Sequence, residues 1–204
     1  MINFAVMMPH RYFILNKPYN MVSQFVSKHD VVLLGELDFD FPVGTHAIGR
    51  LDNHSEGLLL LTTNKKITRL LFQGEVPHTR TYLVQVKNKV TDENLQKLKQ
   101  GIPIRVKGGE AYTTTPCEVS IVDQPENLFS SGYELREGVL HTWLRITLTE
   151  GKFHQVRKMV AAIHHRCKRL IRVSIEDIEL DGMKPGEVWE IDEDSFFKKL
   201  YINV

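Results

Sequence analysis

The chain has 204 residues, 42% of them hydrophobic, and a formal net charge of +1. This length and composition suit one domain with a sizeable core, divisible into two lobes, and exclude a disordered or fibrous chain. The apolar start lacks the basic leader of a signal peptide, and no apolar run approaches the roughly 20 residues that span a bilayer. Cys117 and Cys167 are isolated, which argues against a disulfide framework and a cysteine-based zinc site. We therefore expect a soluble, cytoplasmic protein that is not bound to a membrane.

In chain order, the hydrophobic pattern predicts many strands and few helices. The predicted strands cover residues 11–15, 58–63, 82–86, 117–122 and 140–148, followed by an antiparallel pair at residues 174–180 and 187–191. Helices are predicted after Asn64, from Thr91 to Gly101, and after Gly151. Short connections between strands favour hairpins, so the predicted class is α+β with a mixed, mostly antiparallel sheet.

The helix after Gly151 lies in a basic segment, because every charged residue from Lys152 to Arg172 is basic. Its apolar side is predicted to consist of Phe153, Val156, Val160 and Ile163, with His154, Lys158 and His165 on the opposite side. Residues 176–194 are mostly acidic. A basic block is the usual electrostatic footprint of phosphate binding, but a solvated helix face neutralised by an acidic segment explains it equally well.

Residues 45–63 place ionisable side chains between two glycines and then run into an apolar strand. Arg50 and Asp52 lie two residues apart on this approach, where a rigid strand can hold a reactive group in place. One alternative is structural, with Asp52 forming a local Asx turn and Arg50 a surface cation. Another is a divalent metal site, although the spacing matches no well-defined one. Its candidate ligands are His46, Asp52, His54 and Glu56.

Two further segments also allow both a functional and a structural interpretation. Tyr82 opens a strand between Arg80 and Lys87, and it is either a cross-strand tyrosine of the core or a stacking platform for a flipped base. In residues 150–159, cations and amide donors gather after a glycine at a helix start, which suits phosphate recognition or neutralisation of a carboxylate. An ordinary amphipathic helix with a basic face has the same pattern.

Several separated motifs together resemble those of the RsuA-type family of ribosomal RNA pseudouridine synthases. They are Gly-Arg-Leu-Asp at residues 49–52 with residues 55–62, Thr-Tyr-Leu-Val at 81–84, and Glu-Gly-Lys-Phe-His-Gln-Val-Arg-Lys-Met at 150–159, with residues 13–18 and 170–172 in support. The resemblance extends from about Arg11 to Glu190. It implies the pseudouridine synthase fold, with flanking helices and a central active-site cleft, in one catalytic domain at residues 10–195. Residues 1–9 are then an N-terminal extension and residues 196–204 a C-terminal tail.

The family usually carries a separate basic RNA-binding domain before the catalytic one. In lacking this domain the chain resembles the short subgroup that modifies large-subunit ribosomal RNA, so the expected partner is 23S ribosomal RNA. The protein is expected to be a monomer. The family often has an acidic residue at the position that His54 occupies in this chain. Lys152 replaces a frequent arginine, which keeps the charge but loses the bidentate fork.

The resemblance implies that a uridine in RNA is isomerised to pseudouridine on a flipped-out nucleotide. Asp52 matches the catalytic aspartate, acting either as a nucleophile or as a base that removes a ribose proton. Tyr82 is expected to stack on the uracil and to be a candidate for proton transfer, while Lys152 supplies the cation near Asp52. Substrate-binding roles are implied for Arg50, Gln155, Arg157, Lys158 and Leu170, the last as a wall of the pocket. Because the reaction involves no redox change and no second reactant, no cofactor or metal is expected.

Two rival classes remain at this point. A non-catalytic ribosomal RNA-binding or ribosome-assembly factor explains the basic block, but it does not require Asp52, Tyr82 and Lys152 to occur together. A metal-dependent nuclease requires the candidate ligands of residues 46–56 to bind an ion, and a chelator then abolishes its activity.

Overall fold

The computed structural model of the protein describes residues 9–73, 77–131 and 138–202. The strands are β1 (Tyr12–Lys17), β2 (His46–Ile48), β3 (Glu56–Thr62), β4 (Arg80–Lys87), β5 (Pro103–Arg105), β6 (Ala111–Thr113), β7 (Glu118–Val122), β8 (His141–Leu148), β9 (Cys167–Ile175), β10 (Ile178–Glu179) and β11 (Val188–Ile191). The helices are α1 (Ile67–Gln73), α2 (Asp92–Gln100), α3 (Gln155–Ala162) and α4 (Glu193–Lys199). Within these ranges, every helix is too short or too polar to span a bilayer.

Nine of the described strands form one sheet with the order β11-β1-β3-β9-β4-β8-β7, while β2 and β10 pair with β3 and β9. Strands β5 and β6 form a separate hairpin. Among the described strand pairs, only β3 and β9 run parallel. The prediction of an α+β fold with a mixed, mostly antiparallel sheet is therefore confirmed.

The parallel pair β3–β9 is the seam between the two halves of the sheet, and it depends on Gly57. The two strands are registered through only two residue pairs, Glu56 with Ile171 and Gly57 with Arg172. Gly57 has a φ of +97°, and a Cβ atom at this position would lie 2.3 Å from the backbone oxygen of Arg172. Only glycine allows both this conformation and this approach of the two backbones.

Strands β1 and β3 bury both of their faces, as the central strands of a covered sheet do. On one face, Tyr12 and Ile14 pack with Leu58 and Leu60 beneath α1 and α4. On the other, Phe13, Leu15, Leu59 and Leu61 pack against the aromatic loop that contains Phe25, Phe39 and Phe41. A third cluster joins β4, β8 and β9 to α2 and α3. Tyr82 packs against both of the last two clusters, at the junction of the halves.

Helix α2 has the predicted ends. The Thr91 side chain accepts a hydrogen bond from the amide of Asn94, and Gly101 ends the helix with a φ of +95°. Leu98 is fully buried, and Leu95 packs partly against the same cluster. The predicted start, end and buried side of α2 are therefore confirmed. Caps and helical spacing act within a few residues, so the sequence alone indicates them.

Two predictions near α3 are wrong. Phe153 does not face the core, because it precedes the helix and its side chain is 61% exposed. His165 does not face solvent, because it follows the helix and is buried, with its Nδ1 atom 2.9 Å from the backbone oxygen of Lys87. Both predictions assume a helical period beyond the ends of α3, but only Gln155–Ala162 is helical.

The predicted pairing of residues 174–180 with residues 187–191 is also wrong. Strand β10 pairs with β9, so the first of these segments is part of a hairpin of its own. Strand β11 pairs with β1 at the far edge of the sheet. The turn that begins at Asp181 therefore connects two distant strands.

Helix α4 crosses residue 195, where the catalytic domain was expected to give way to a tail. Phe196 and Leu200 are fully buried in the cluster beneath β1 and β3. The Tyr12 ring packs against that of Phe196, with ring centroids 4.6 Å apart and planes inclined by 31°. The packed core thus continues through Leu200. Of the predicted N-terminal extension, residues 1–8 lie outside the described residues.

Candidate active site

Asp52 lies in the turn between β2 and β3, and several hydrogen bonds hold this turn in place. The Ser23 hydroxyl contacts both the amide and the carbonyl oxygen of Leu51 at 3.0 Å. The backbone oxygen of Asp52 accepts a hydrogen bond from the amide of Ser55 at 3.0 Å. The Asp52 carboxylate caps none of the described amides of the turn, so the Asx-turn alternative is not what the structure shows. Its oxygens point instead toward the start of α3.

The nearest ionisable side chains to the Asp52 carboxylate are His154 and Arg157. His154 Nε2 lies 3.4 Å from Oδ1 of Asp52, and Arg157 Nε lies 3.9 Å from Oδ2. Arg157 also donates to the backbone oxygen of His54 at 2.7 Å and to the Ser55 hydroxyl at 3.3 Å. Arg157 therefore ties α3 to the turn that holds Asp52.

Beneath the turn lies Lys17, whose side chain is fully buried. Its ammonium group donates to the backbone oxygens of Met21 at 2.6 Å, Pro18 at 2.8 Å and Asn53 at 3.3 Å. Burial lowers the pKa of Lys17 to about 7, although the nearby carboxylates of Glu56 and Asp52 oppose the shift.

The start of β3 is fixed by a buried ion pair between Glu56 and Arg169. The two side chains form a bidentate contact, with distances of 2.9 and 3.1 Å. Arg169 also donates to the backbone oxygen of Phe129 at 2.7 Å. Glu56 is thus engaged within the protein, on a strand that lines the parallel seam.

Tyr82, Leu170 and Arg172 lie on one face of the neighbouring strands β4 and β9. Tyr82 is directly opposite Arg172 in the register, and Leu170 is opposite Val84. Arg172 is buried and donates from Nε to the backbone oxygen of Leu58 at 2.8 Å. The strand pairing therefore places an aromatic ring, an apolar wall and a guanidinium group side by side.

The loop before α3 is organised by Glu150. Its carboxylate accepts hydrogen bonds from the Tyr112 hydroxyl, from the amide of Thr115 at 3.0 Å and from the Gln155 side chain at 2.7 Å. Burial alone would raise the pKa of Glu150, but these hydrogen bonds outweigh it and lower the pKa. The Gln155 side-chain oxygen in turn accepts the amide of Lys152 at 2.8 Å.

Lys152 lies over the ring of Tyr112, with Nζ 4.6 Å from the ring centroid. Its ammonium group makes no ion pair with Asp52 within 4.0 Å in this structure. On the opposite side of the loop, Arg80 packs against Gly151 and donates to the backbone oxygens of His78 and Thr149 at 3.1 Å. A Cβ atom on residue 151 would lie 2.9 Å from this guanidinium group.

These elements enclose a cleft of about 570 Å³, within the size range of small-molecule and cofactor sites. Among its lining residues, four are Arg or Lys and two are Asp or Glu: Arg50, Arg80, Lys152 and Arg172 against Asp52 and Glu150. Tyr82, Gln155 and Leu170 also line it. The excess of positive charge suits an anionic ligand.

Six of the eight predicted site residues therefore line the cleft: Arg50, Asp52, Tyr82, Lys152, Gln155 and Leu170. The other two do not: Arg157 holds the turn, and Lys158 lies 5.3 Å from the ring of Phe153. Sequence reasoning gave no site role to Arg80, Tyr112 or Arg172. The signal for Arg172 was available, since a charged residue within an apolar strand is rarely buried without a function or a partner.

The metal hypothesis is not supported by the geometry. Across residues 9–73, 77–131 and 138–202, no group of three or more His, Cys, Asp or Glu side chains is placed to hold an ion. His54 stacks on Tyr19, with ring centroids 5.2 Å apart, and Glu56 is paired with Arg169. The four proposed ligands do not converge.

Residues 11–162 match the family described as RNA pseudouridylate synthase. The chain belongs to the RNA pseudouridylate synthase family. It is therefore an isomerase that forms pseudouridine in RNA, as the motifs predicted. This membership gives no support to the nuclease hypothesis.

Individual synthases of the family match most of the chain. It is 35% identical over 174 residues to a protein of Xanthomonas axonopodis pv. citri named ribosomal large subunit pseudouridine synthase E, covering 84% of this chain and 89% of that one. It is 36% identical over 180 residues to a Vibrio parahaemolyticus protein of the same name, covering 87% and 72%. A crystal structure of a pseudouridylate synthase has a TM-score of 0.76 at 28% identity, over 96% of this chain and 75% of that one. The predicted pseudouridine synthase fold is thus confirmed.

Proposed function

We propose that this synthase converts a uridine of 23S ribosomal RNA to pseudouridine and that Asp52 is its essential catalytic group. The observation that carries the proposal is the convergence of Asp52, Tyr82, Lys152 and Leu170 on one cleft, from four separate parts of the chain. The 23S target is supported by the names of the relatives that are 35 and 36% identical. We also propose that the protein acts in the cytoplasm as a monomer, since one chain supplies all of these side chains.

The reaction places three demands on the cleft. The C1′–N1 bond of the nucleotide breaks, the uracil turns within the site, and a C1′–C5 bond forms. The proton on C5 leaves and N1 gains one, so substrate and product are isomers. A carboxylate must reach the sugar or base, the detached uracil must be retained, and the negative backbone must be bound.

Each demand has a candidate in the structure. The Asp52 side chain is 30% exposed, so its carboxylate is accessible to a nucleotide, and it lies beside His154 and Arg157. The Tyr82 ring and Leu170 form the walls against which a detached uracil stacks. Lys152 has an exposed side chain within the cleft, and Arg50, also exposed, lines the same cleft. We assign these two cations to the phosphates and to the charge that develops at the reacting nucleotide.

The structure favours positioning roles for two residues that were expected to bind RNA. Gln155 is buried and its amide is engaged with Glu150 and Lys152. Arg157 bridges α3 and the Asp52 turn. We infer that both hold the catalytic groups in place and contribute to RNA binding only indirectly.

The decisive experiment measures tritium release from ribosomal RNA labelled at uracil C5, with the wild type and with Asp52→Asn, in the presence of EDTA. We expect full release by the wild type and none by the variant, with RNA binding retained by both. Tritium release by Asp52→Asn would refute the catalytic assignment, and absence of release by the wild type would favour an RNA-binding factor. Mapping pseudouridine in 23S and 16S RNA then tests the proposed target, which a product confined to 16S RNA would contradict.

A further inference from the structure

The side chain of Phe153 is an apolar ring that is exposed at the charged cleft. It lines the cleft beside Lys152, yet its side chain is 61% exposed. Other large hydrophobic side chains are exposed in the described part of the chain, among them Val43, Leu140 and Tyr201, but these do not line the cleft. An aromatic ring that is exposed at a cleft is accessible to a ligand and can stack on a base.

The ring is held in a defined orientation although it is exposed. It stacks on the imidazole of His154, with centroids 3.8 Å apart and planes inclined by 19°. The same imidazole lies 3.4 Å from the Asp52 carboxylate. The Lys158 ammonium lies 5.3 Å from the ring centroid of Phe153. A chain of contacts thus connects Phe153 at the mouth of the cleft to the catalytic turn.

This combination matches single-stranded RNA. Exposed aromatic rings flanked by cations bind such strands because every base has a face that stacks and every nucleotide has a phosphate. A nucleotide that is drawn into a cleft leaves its neighbours without a stacking partner, and this costs free energy. A protein ring placed at the mouth recovers part of that cost.

We propose that Phe153 stacks on the base next to the flipped uridine, while Lys158 contacts the adjoining phosphate. The proposal rests on the proposed function, because it takes RNA as the ligand. It assigns Phe153 to holding the opened strand, and it requires no particular identity of the neighbouring base.

The test uses the full chain and a short single-stranded oligouridine that carries one 2-aminopurine. Binding is followed by anisotropy, and stacking by quenching of the 2-aminopurine fluorescence. We expect Phe153→Leu to weaken binding roughly 5- to 160-fold, the range for loss of a base–aromatic stack, and to abolish the quenching. Phe153→Trp should retain both properties. Tyr201→Leu removes an aromatic ring that is 58% exposed away from the cleft, and it should behave like the wild type.

The outcomes separate this proposal from the proposed function. If Phe153→Leu binds and quenches like the wild type, or if Tyr201→Leu weakens binding equally, stacking by Phe153 is refuted. If the wild type shows Phe153-dependent quenching but releases no tritium from labelled RNA, the stacking stands and the catalytic proposal fails. Quenching and tritium release that are both reduced in Phe153→Leu, and restored in Phe153→Trp, support the two together.

Discussion

The Nε2 atom of His154 lies 3.4 Å from Oδ1 of Asp52, so the nearest ionisable partner of the candidate catalytic carboxylate comes from the residue before α3. His154 holds this place with a backbone φ of 55°, in the left-handed region that few residues with a side chain adopt. Such a conformation persists only where the surrounding contacts enforce it. Here the contacts are those of the loop centred on Glu150.

This relationship predicts that His154 positions Asp52. Asn tolerates a left-handed backbone, so His154→Asn should keep the loop and remove only the imidazole contacts. We expect kcat for pseudouridine formation to fall roughly tenfold, because a small misplacement of a catalytic group has large effects on rate.

His164 offers a matched control, since it is also a histidine at positive φ, 63°, and is exposed. His164→Asn should leave kcat unchanged. An equal loss of kcat in both variants would show that the effect comes from the backbone and not from the contact with Asp52.

A second prediction concerns the cation–π contact between Lys152 and Tyr112. Tyr112→Leu removes the ring that keeps the ammonium group in the cleft, and kcat should fall roughly 3- to 30-fold, the range of such contacts. Tyr112→Phe keeps the ring and should have a smaller effect. In a Lys152→Met background, Tyr112→Leu should cause no additional loss of kcat. A further loss there would mean that Tyr112 acts through Glu150 instead.

The buried pair of Glu56 and Arg169 provides a prediction about stability. Glu56→Gln leaves the Arg169 guanidinium buried without its counter-charge, which should reduce the free energy of unfolding by about 3 to 5 kcal/mol. Urea denaturation measures the change. The exposed pair of Glu93 and Lys97 on α2 is the comparison, and Glu93→Gln should have little effect. Similar losses in the two variants would contradict the role of burial.

The lowered pKa of the buried Lys17 side chain predicts that the stability of the protein depends on pH. Its pKa is about 7 in the folded protein and returns to about 10.5 on unfolding, so the unfolded chain binds the extra proton between these values. Stability therefore rises with pH from about 7 to about 10, by up to roughly 1.4 kcal/mol per pH unit from this group. Below pH 7 both states are protonated and the contribution is constant. Urea midpoints of the wild type and Lys17→Met should differ progressively over that range, and a constant difference would refute the assignment.

The local chemistry of the chain was sufficient for several features. Thr91 and Gly101 delimit α2 because a cap and a left-handed glycine act within a few residues. The alternation of Tyr82, Val84 and Val86 identified β4 because side chains of a strand alternate between faces. Six of the residues that line the cleft were predicted through motifs, each of which occupies a short stretch of chain.

Other features depend on contacts between residues that are distant in sequence. The partner of β11 is β1, more than a hundred residues away, and no periodicity within either segment indicates it. The exposure of Phe153 follows from where α3 begins relative to the cleft, and a period of 3.6 residues does not specify that point. The placement of His154 and Arg157, rather than Lys152, beside Asp52 also required the folded chain.

By itself, then, the sequence indicated the reaction class and six of the cleft residues, because its motifs resemble those of a known family and each motif occupies a short stretch of chain. Only the tertiary structure decided which cation faces Asp52, which ring stays in solvent and how the two halves meet. The seam at Gly57 illustrates the reason: the glycine is visible in the sequence, but the Arg172 backbone that requires it comes from β9.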